Sequence, residues 1–310
     1  MNQVVSAAQS PLAVKVARGW ALLIAALFGG AIAIASGPET QPAMPQPVSL
    51  TYSPPSDPTP LGTTFVDWDS LTVRSTPIGQ SRSVFSNSTP TLDKLEVHIT
   101  TLRPGMLSHA VHHHPWEEII LIKDGNVDVS INGQKHHAGP GYMLFYASHD
   151  PHNLQNVGDT PATYYVINFC TDLVQTVPDK SAAEQAVPGK LPSSIIDCNS
   201  LPATTTPTGS TVNILNSPTL TFLNLSSHIT TLNAGQSTRA DMVDPGDELF
   251  VIKSGQLEAT VNGVTCRLKE GSLFYCAPND KRTFKNIGPT PASYQVIKVI
   301  SDKSPKNPAR

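Results

Sequence analysis

The sequence predicts an all-β protein made of two tandem barrels or sandwiches, and three observations carry that reading. Residues 66–169 and 196–299 align without a gap at an offset of 130, so one architecture is used twice. Apolar residues alternate with period two, as Leu95, Val97 and Ile99 do against Glu96, His98 and Thr100, where a helix would show a 3.6 period. Turn residues divide the chain into short segments, with Asn132-Gly133 and Asn262-Gly263 the strongest hairpin signals. Many short strands in this arrangement close into a barrel or pack as a sandwich.

In chain order, the first 35 residues hold no acid and two bases, Lys15 and Arg18, ahead of an apolar run from Trp20 to Ala35. The run ends in Ala33-Ile34-Ala35, a small-residue cleavage pattern, and residues 1–35 read as a secretory signal peptide. An uncleaved N-terminal membrane anchor is the alternative, although the run is slightly short for a span of about 20 residues. Both readings put the remainder outside the cytoplasm: periplasmic, secreted, or tethered on the extracytoplasmic side. Residues 36–61 carry eight prolines and two charges, Glu39 and Asp57, and read as a disordered, extended tether.

The first domain is expected over 62–172. Its apolar run Ile119-Ile120-Leu121-Ile122 fits a strand buried on both faces, and Tyr142–Tyr146 and Tyr164–Phe169 supply two further strands. A linker over 173–190 contains the one credible helix, Ser181–Ala186. The second domain follows over 191–301, with a tail over 302–310.

Of 310 residues only 15% are charged, and the formal net charge of −3 excludes nucleic acid and anionic membrane surfaces as natural partners. In an oxidising compartment the four cysteines could pair, Cys266 with Cys276 across two strands and Cys170 with Cys198 across the linker, or stay as buried thiols. No nucleophilic triad and no phosphate loop is visible.

Nine of the ten histidines lie in the first copy. At three aligned columns it has His112, His114 and His152 where the second has Met242, Asp244 and Arg282. Residues two apart on a strand share a face, so the imidazoles of His112 and His114 project together, with Cβ atoms about 6.5–7 Å apart. His152 arrives about forty residues later, and in a barrel three imidazoles and Glu118 can converge. The bland alternative is a surface histidine tract that binds metal adventitiously. His113 alternates to the opposite face and is expected in solvent, as is Glu117. His109, His136, His137 and His149 read as rim or surface residues, with His149 a possible contact to substrate. Trp116 and Tyr146 serve equally as core packing or pocket lining, and Asn156 fixes a turn.

The order Gly105, six residues, His112-His113-His114, three residues, Glu118, six residues, Gly125 resembles the first cupin motif. Gly141, five residues, Ala147-Ser148-His149, two residues, His152, three residues, Asn156 resembles the second. Six residues follow Gly105 where five are usual, and Ala147 and His149 replace the usual proline and glycine. With its second copy the chain resembles a bicupin, which implies two double-stranded β-helix (jelly-roll) barrels.

The resemblance makes His112, His114, Glu118 and His152 the ligands of one divalent transition metal, Mn, Fe, Co, Ni, Cu or Zn, among which ligand type does not choose. It implies a small-molecule substrate and a metal-dependent enzyme of dioxygenase or decarboxylase type acting on an oxygen-rich compound. The alternative is a cupin that binds a small molecule or metal without turnover. Oxalate-decarboxylase-type bicupins fill both sites and place four residues between the second histidine and the glutamate, whereas here one site is filled and the gap is three.

The second copy keeps only Glu248 of the four. Arg282 stays protonated and cannot coordinate, so it is expected to replace the metal's charge beside Glu248 and Asp244. The rival reading makes Asp241, Asp244, Asp247 and Glu248 an acidic surface that could hold calcium. Packing, homodimerisation or rim formation is the role left for this copy.

Overall fold

A computed structural model describes residues 47–52, 59–179 and 187–306. The expected signal segment, most of the tether and the expected helix Ser181–Ala186 lie outside the described residues. Among those described, no helix is long and apolar enough to cross a membrane.

Among the described residues, regular secondary structure is nearly all β-strand, with two short 3-10 turns besides. In the first copy a seven-stranded sheet runs in the spatial order Ser194–Asp197, Tyr142–Tyr146, Glu117–Asp124, Ala162–Cys170, Lys94–Leu102, Gly79–Asn87 and Arg74–Thr76. A second sheet of five strands, Val48–Ser49, His112–His113, His152–Asn156, Val127–Ile131 and Gln134–Ala138, closes the barrel. The second copy repeats the plan with seven and three strands. Both Asn-Gly hairpins form, and Asn132 (φ 52°) and Gly133 (φ 77°) take the left-handed pair that such a two-residue turn requires.

The run Glu117–Ile122 is buried throughout because its two faces meet different cores. Ile120 and Ile122 turn into the first barrel with Val129, Leu144 and Leu154. Ile119 and Leu121 turn outward into a core shared with Leu249, Val251 and Ile297 of the second copy. Parity therefore sends Glu118 into the barrel and Glu117 to the junction, which corrects the expectation of a solvated Glu117. It is 2% exposed, and its carboxylate accepts from Thr219 Oγ1 (2.6 Å), Thr221 Oγ1 (2.9 Å) and the Leu220 N–H (2.9 Å). Burial outweighs these bonds and pushes its carboxyl up to about 6. By the internal symmetry Asp247 takes the Thr91 hydroxyl of the first copy.

The copies also exchange strands. Thr64–Val66 adds to Leu273–Cys276 in the second copy's sheet, while its equivalent, Ser194–Asp197, adds to Tyr142–Tyr146 in the first. The tether is not wholly loose either: Val48–Ser49 pairs in parallel with His112–His113. All four cysteines are free thiols, and Cys266 and Cys276 lie on strands of different sheets.

Candidate metal centre

Both sheets of the first barrel bring the four expected residues together: His112 and His152 from adjacent strands of one, His114 from the loop after His112–His113, and Glu118 from a strand of the other. His112 and His152 face each other across adjacent strands. Glu118 stands beside Tyr146 on one side and Asn168 on the other. His112 Nε2 lies 3.2 Å from His152 Nε2, His114 Nε2 lies 3.4 Å from Glu118 Oε2, and His152 Nε2 lies 3.8 Å from Glu118 Oε1. Two ligand atoms each about 2.1 Å from one ion stand about 3.0–3.4 Å apart at octahedral or tetrahedral angles. The His112–His152 and His114–Glu118 separations match that spacing, and the His152–Glu118 separation is slightly wider.

The local backbone orients the rings. His114 Nδ1 bonds the Trp116 carbonyl and His152 Nδ1 bonds the Asp150 carbonyl, both at 2.8 Å. A carbonyl only accepts, so each Nδ1 carries the proton and each Nε2 presents a lone pair to the cavity. The rings are wedged by stacking, His114 on Trp116 at 4.2 Å and His152 on Tyr146 at 4.1 Å. Burial above all holds the imidazoles of His112, His114 and His152 down at about 3, so all three are neutral at ordinary pH. Burial raises Glu118, an effect its neighbour His152 opposes.

These side chains open on a cavity of about 280 Å³. Trp116 and Tyr146, left open between packing and lining, both line it, together with Tyr164, Asn168 and Leu154. His114 Nε2, Trp116 Nε1, Tyr146 Oη and Asn168 Oδ1 are buried without a hydrogen-bond partner in the protein. So many orphaned polar atoms around one cavity are costly without a ligand to satisfy them. A divalent ion with a polar molecule beside it fits this donor set.

Three residues differ from expectation. His109 is no mere rim residue, since it lines the cavity and stacks on His112 with ring centroids 3.7 Å apart. Only the period-two pattern was available to find it, and the loop it sits on has none. His149 is 8% exposed and is not among the residues lining the cavity. His113 turns away from the cavity as expected, yet its side chain is only 12% exposed. Asn156 does fix a turn: its amide donates to the Leu102 and Thr160 carbonyls, and its oxygen accepts from the Gly158 N–H.

In the second copy Met242 and Arg282 occupy the matching strand positions. Arg282 Nη2 pairs with Glu248 Oε2, both side chains being under 10% exposed. Burial pushes the Glu248 carboxyl up and the guanidinium pulls it back. Asp244 turns to Lys298 at 2.9 Å, not to Arg282. Asp247 and Glu248 are 0% and 4% exposed, so they form no acidic surface. Larger side chains fill this barrel: Phe250, Phe274 and Phe284 stand where the first copy has Ile120, Leu144 and Leu154.

The cupin-domain family model matches residues 98–168 and again 228–298. The chain therefore carries two cupin domains in tandem, the arrangement of a bicupin. Solved structures similar to it include the Lactobacillus farciminis oxalate decarboxylase formate complex, at 16% identity and TM-score 0.60, covering 81% of this chain and 90% of that one. A mutant of Bacillus subtilis oxalate decarboxylase OxdC matches at 15% identity and TM-score 0.57, covering 79% of each chain. AerE from Microcystis aeruginosa matches at 12% identity and TM-score 0.58, covering 76% of this chain and 99% of its own. At these identities the likeness is one of fold.

Proposed function

We propose that the first barrel holds one divalent transition-metal ion on His112, His114, His152 and Glu118, and that the protein is an exported enzyme acting there on a small oxygen-rich molecule. The supporting observation is the convergence on one buried cavity of three neutral imidazoles, those of His114 and His152 locked in one tautomer, and the Glu118 carboxylate. When bound, such an ion polarises a carboxyl or carbonyl oxygen or activates dioxygen. The chain's own residues supply the rest. Trp116 Nε1 and Tyr146 Oη are positioned to donate to a substrate oxygen, and Asn168 Oδ1 to accept from a hydroxyl. Val166, Ile120 and Leu154 keep the surroundings apolar, which strengthens every polar contact inside.

Within this reading, a decarboxylase-like reaction on a small organic acid is favoured by the fold shared with the two oxalate decarboxylases. Among the described residues lining the cavity there is no lysine or arginine. The charge of an acidic substrate would therefore be met by the ion. Export rests on residues 1–35, and a mature N-terminus beginning near residue 36 in periplasmic or secreted material tests it.

The catalytic reading is tested by elemental analysis of periplasmically produced protein beside a Glu118→Ala/His152→Ala variant. Candidate acids and phenols are then screened for carbon dioxide release and oxygen uptake. One equivalent more metal in the wild type than in the variant, with turnover on one of them, is the expected result. Equal metal in both proteins would refute the assignment, and metal without any turnover would leave a binding protein.

A further inference from the structure

The run His112-His113-His114 serves two faces of the first barrel. His112 and His114 line the cavity, while His113 alternates to the outer side and stands beside His149, with ring centroids 5.8 Å apart. Asp179, on the segment leaving the first barrel, reaches the same spot. We propose that His113, His149 and Asp179 form a second metal site on the barrel's outer rim, taking a zinc-like divalent ion in tetrahedral coordination with water as its fourth ligand.

Distance is the first argument. Asp179 Oδ1 lies 3.6 Å from His113 Nδ1 and 3.5 Å from His149 Nδ1, and the three donor atoms all lie within 4.8 Å of one another. An N–H···O bond spans about 2.7–3.2 Å, so neither contact is a good hydrogen bond. Ligand atoms about 2.1 Å from a tetrahedral ion stand about 3.4 Å apart, which matches both contacts.

The second argument is the direction of the lone pairs. His149 Nε2 lies 3.2 Å from the Val177 carbonyl, which only accepts, so Nε2 carries the proton. His149 Nδ1 then turns a lone pair toward the Asp179 carboxylate. His113 Nδ1 faces the same oxygen and is buried without a hydrogen-bond partner. With the His113 proton on Nε2, three electron-rich atoms converge, and one cation among them removes the repulsion. At the matching columns the second copy has Val243 and Asn279, so this group belongs to the first barrel alone. It does not depend on the cavity reading, although the His149 N–H bonds the His114 carbonyl at 2.8 Å and so adjoins the inner run. An ion here would pin the chain leaving the first barrel to that barrel's rim.

The test is calorimetric titration of chelator-stripped full-length protein with zinc chloride, in wild type, Asp179→Ala, His152→Ala and the double variant. Two equivalents are expected for the wild type, one for each single variant and none for the double. Asp179 is 61% exposed, so its replacement does not disturb the core, and the near-isosteric Asp179→Asn should repeat the loss through charge alone. Cobalt(II) gives a second readout: the intense visible bands of four-coordinate cobalt should appear in His152→Ala and vanish when Asp179→Ala is added to it. Equal zinc uptake by wild type and Asp179→Ala would overturn the proposal and leave a histidine–carboxylate contact. A single zinc kept by His152→Ala and lost in Asp179→Ala would sink the cavity assignment while the rim site stands.

Discussion

His152 meets three demands with one side chain: its Nδ1 is tied to a backbone carbonyl, its ring is stacked on Tyr146, and burial keeps it neutral. Partners that only orient a ligand contribute about 10–100-fold to metal affinity. Removing a ligand itself should cost more, so Glu118→Ala is expected to weaken manganese or zinc binding by at least about 100-fold in a competition titration. In the second copy the same strand position presents a cation. Arg282→Met leaves Glu248 buried and unpaired, and about 3–5 kcal/mol of destabilisation is expected in urea unfolding. Adding Glu248→Leu should recover most of that loss, because two apolar groups replace a buried pair at little cost. Asp247 gives a pH signature. Burial raises its carboxyl above the ordinary 3.8, so the folded state holds its proton longer than the unfolded chain. Its contribution to stability is full below pH 3.8 and is lost as pH rises through the raised folded value. Asp247→Asn should therefore gain stability relative to wild type as pH climbs through that window, and a constant difference across pH would contradict this.

At the scale of strands, local patterns were readable and long-range pairings were not. The Asn-Gly hairpins, the doubly buried run at Ile119–Ile122 and the spacing of His112, His114, Glu118 and His152 all follow from short-range period and turn chemistry. Nothing local says that Glu117's face is covered by Thr219 and Thr221, about a hundred residues away, so a charged residue at a strand start read as solvated. The exchange of Thr64–Val66 and Ser194–Asp197 was invisible for the same reason. Proline content suggested a loose tether, yet Val48–Ser49 needs only the exposed edge of His112–His113 to pair. The lone-pair directions at the site were also hidden, because they depend on which backbone carbonyls the loops present. The exchanged strand anchors by Phe65, stacked on Phe274 at 4.6 Å. Phe65→Ala should destabilise the second barrel by about 2–3 kcal/mol, toward the low end for a part-exposed aromatic, read by denaturant midpoint.

Over the whole molecule, one apolar core runs between the copies, joining Phe85, Leu95 and Ile119 of the first to Phe222, Leu249 and Ile297 of the second. Two barrels that share a core and trade strands should unfold together. Calorimetry is expected to show one transition with equal calorimetric and van't Hoff enthalpies, and two resolved transitions would contradict this. That coupling gives the second barrel a physical role without chemistry of its own: its sheet covers the outer face of the strand that carries Glu118. Copying the first site into the second barrel would then fail for lack of space, since Phe250, Phe274 and Phe284 fill it. The division of labour is most directly tested by anomalous X-ray diffraction from crystals of protein produced in metal-replete medium. The expected map has a transition-metal peak bonded to Nε2 of His112, His114 and His152 and to the Glu118 carboxylate, with none beside Arg282. A cavity without that peak, or a peak at Glu248, would contradict the assignment.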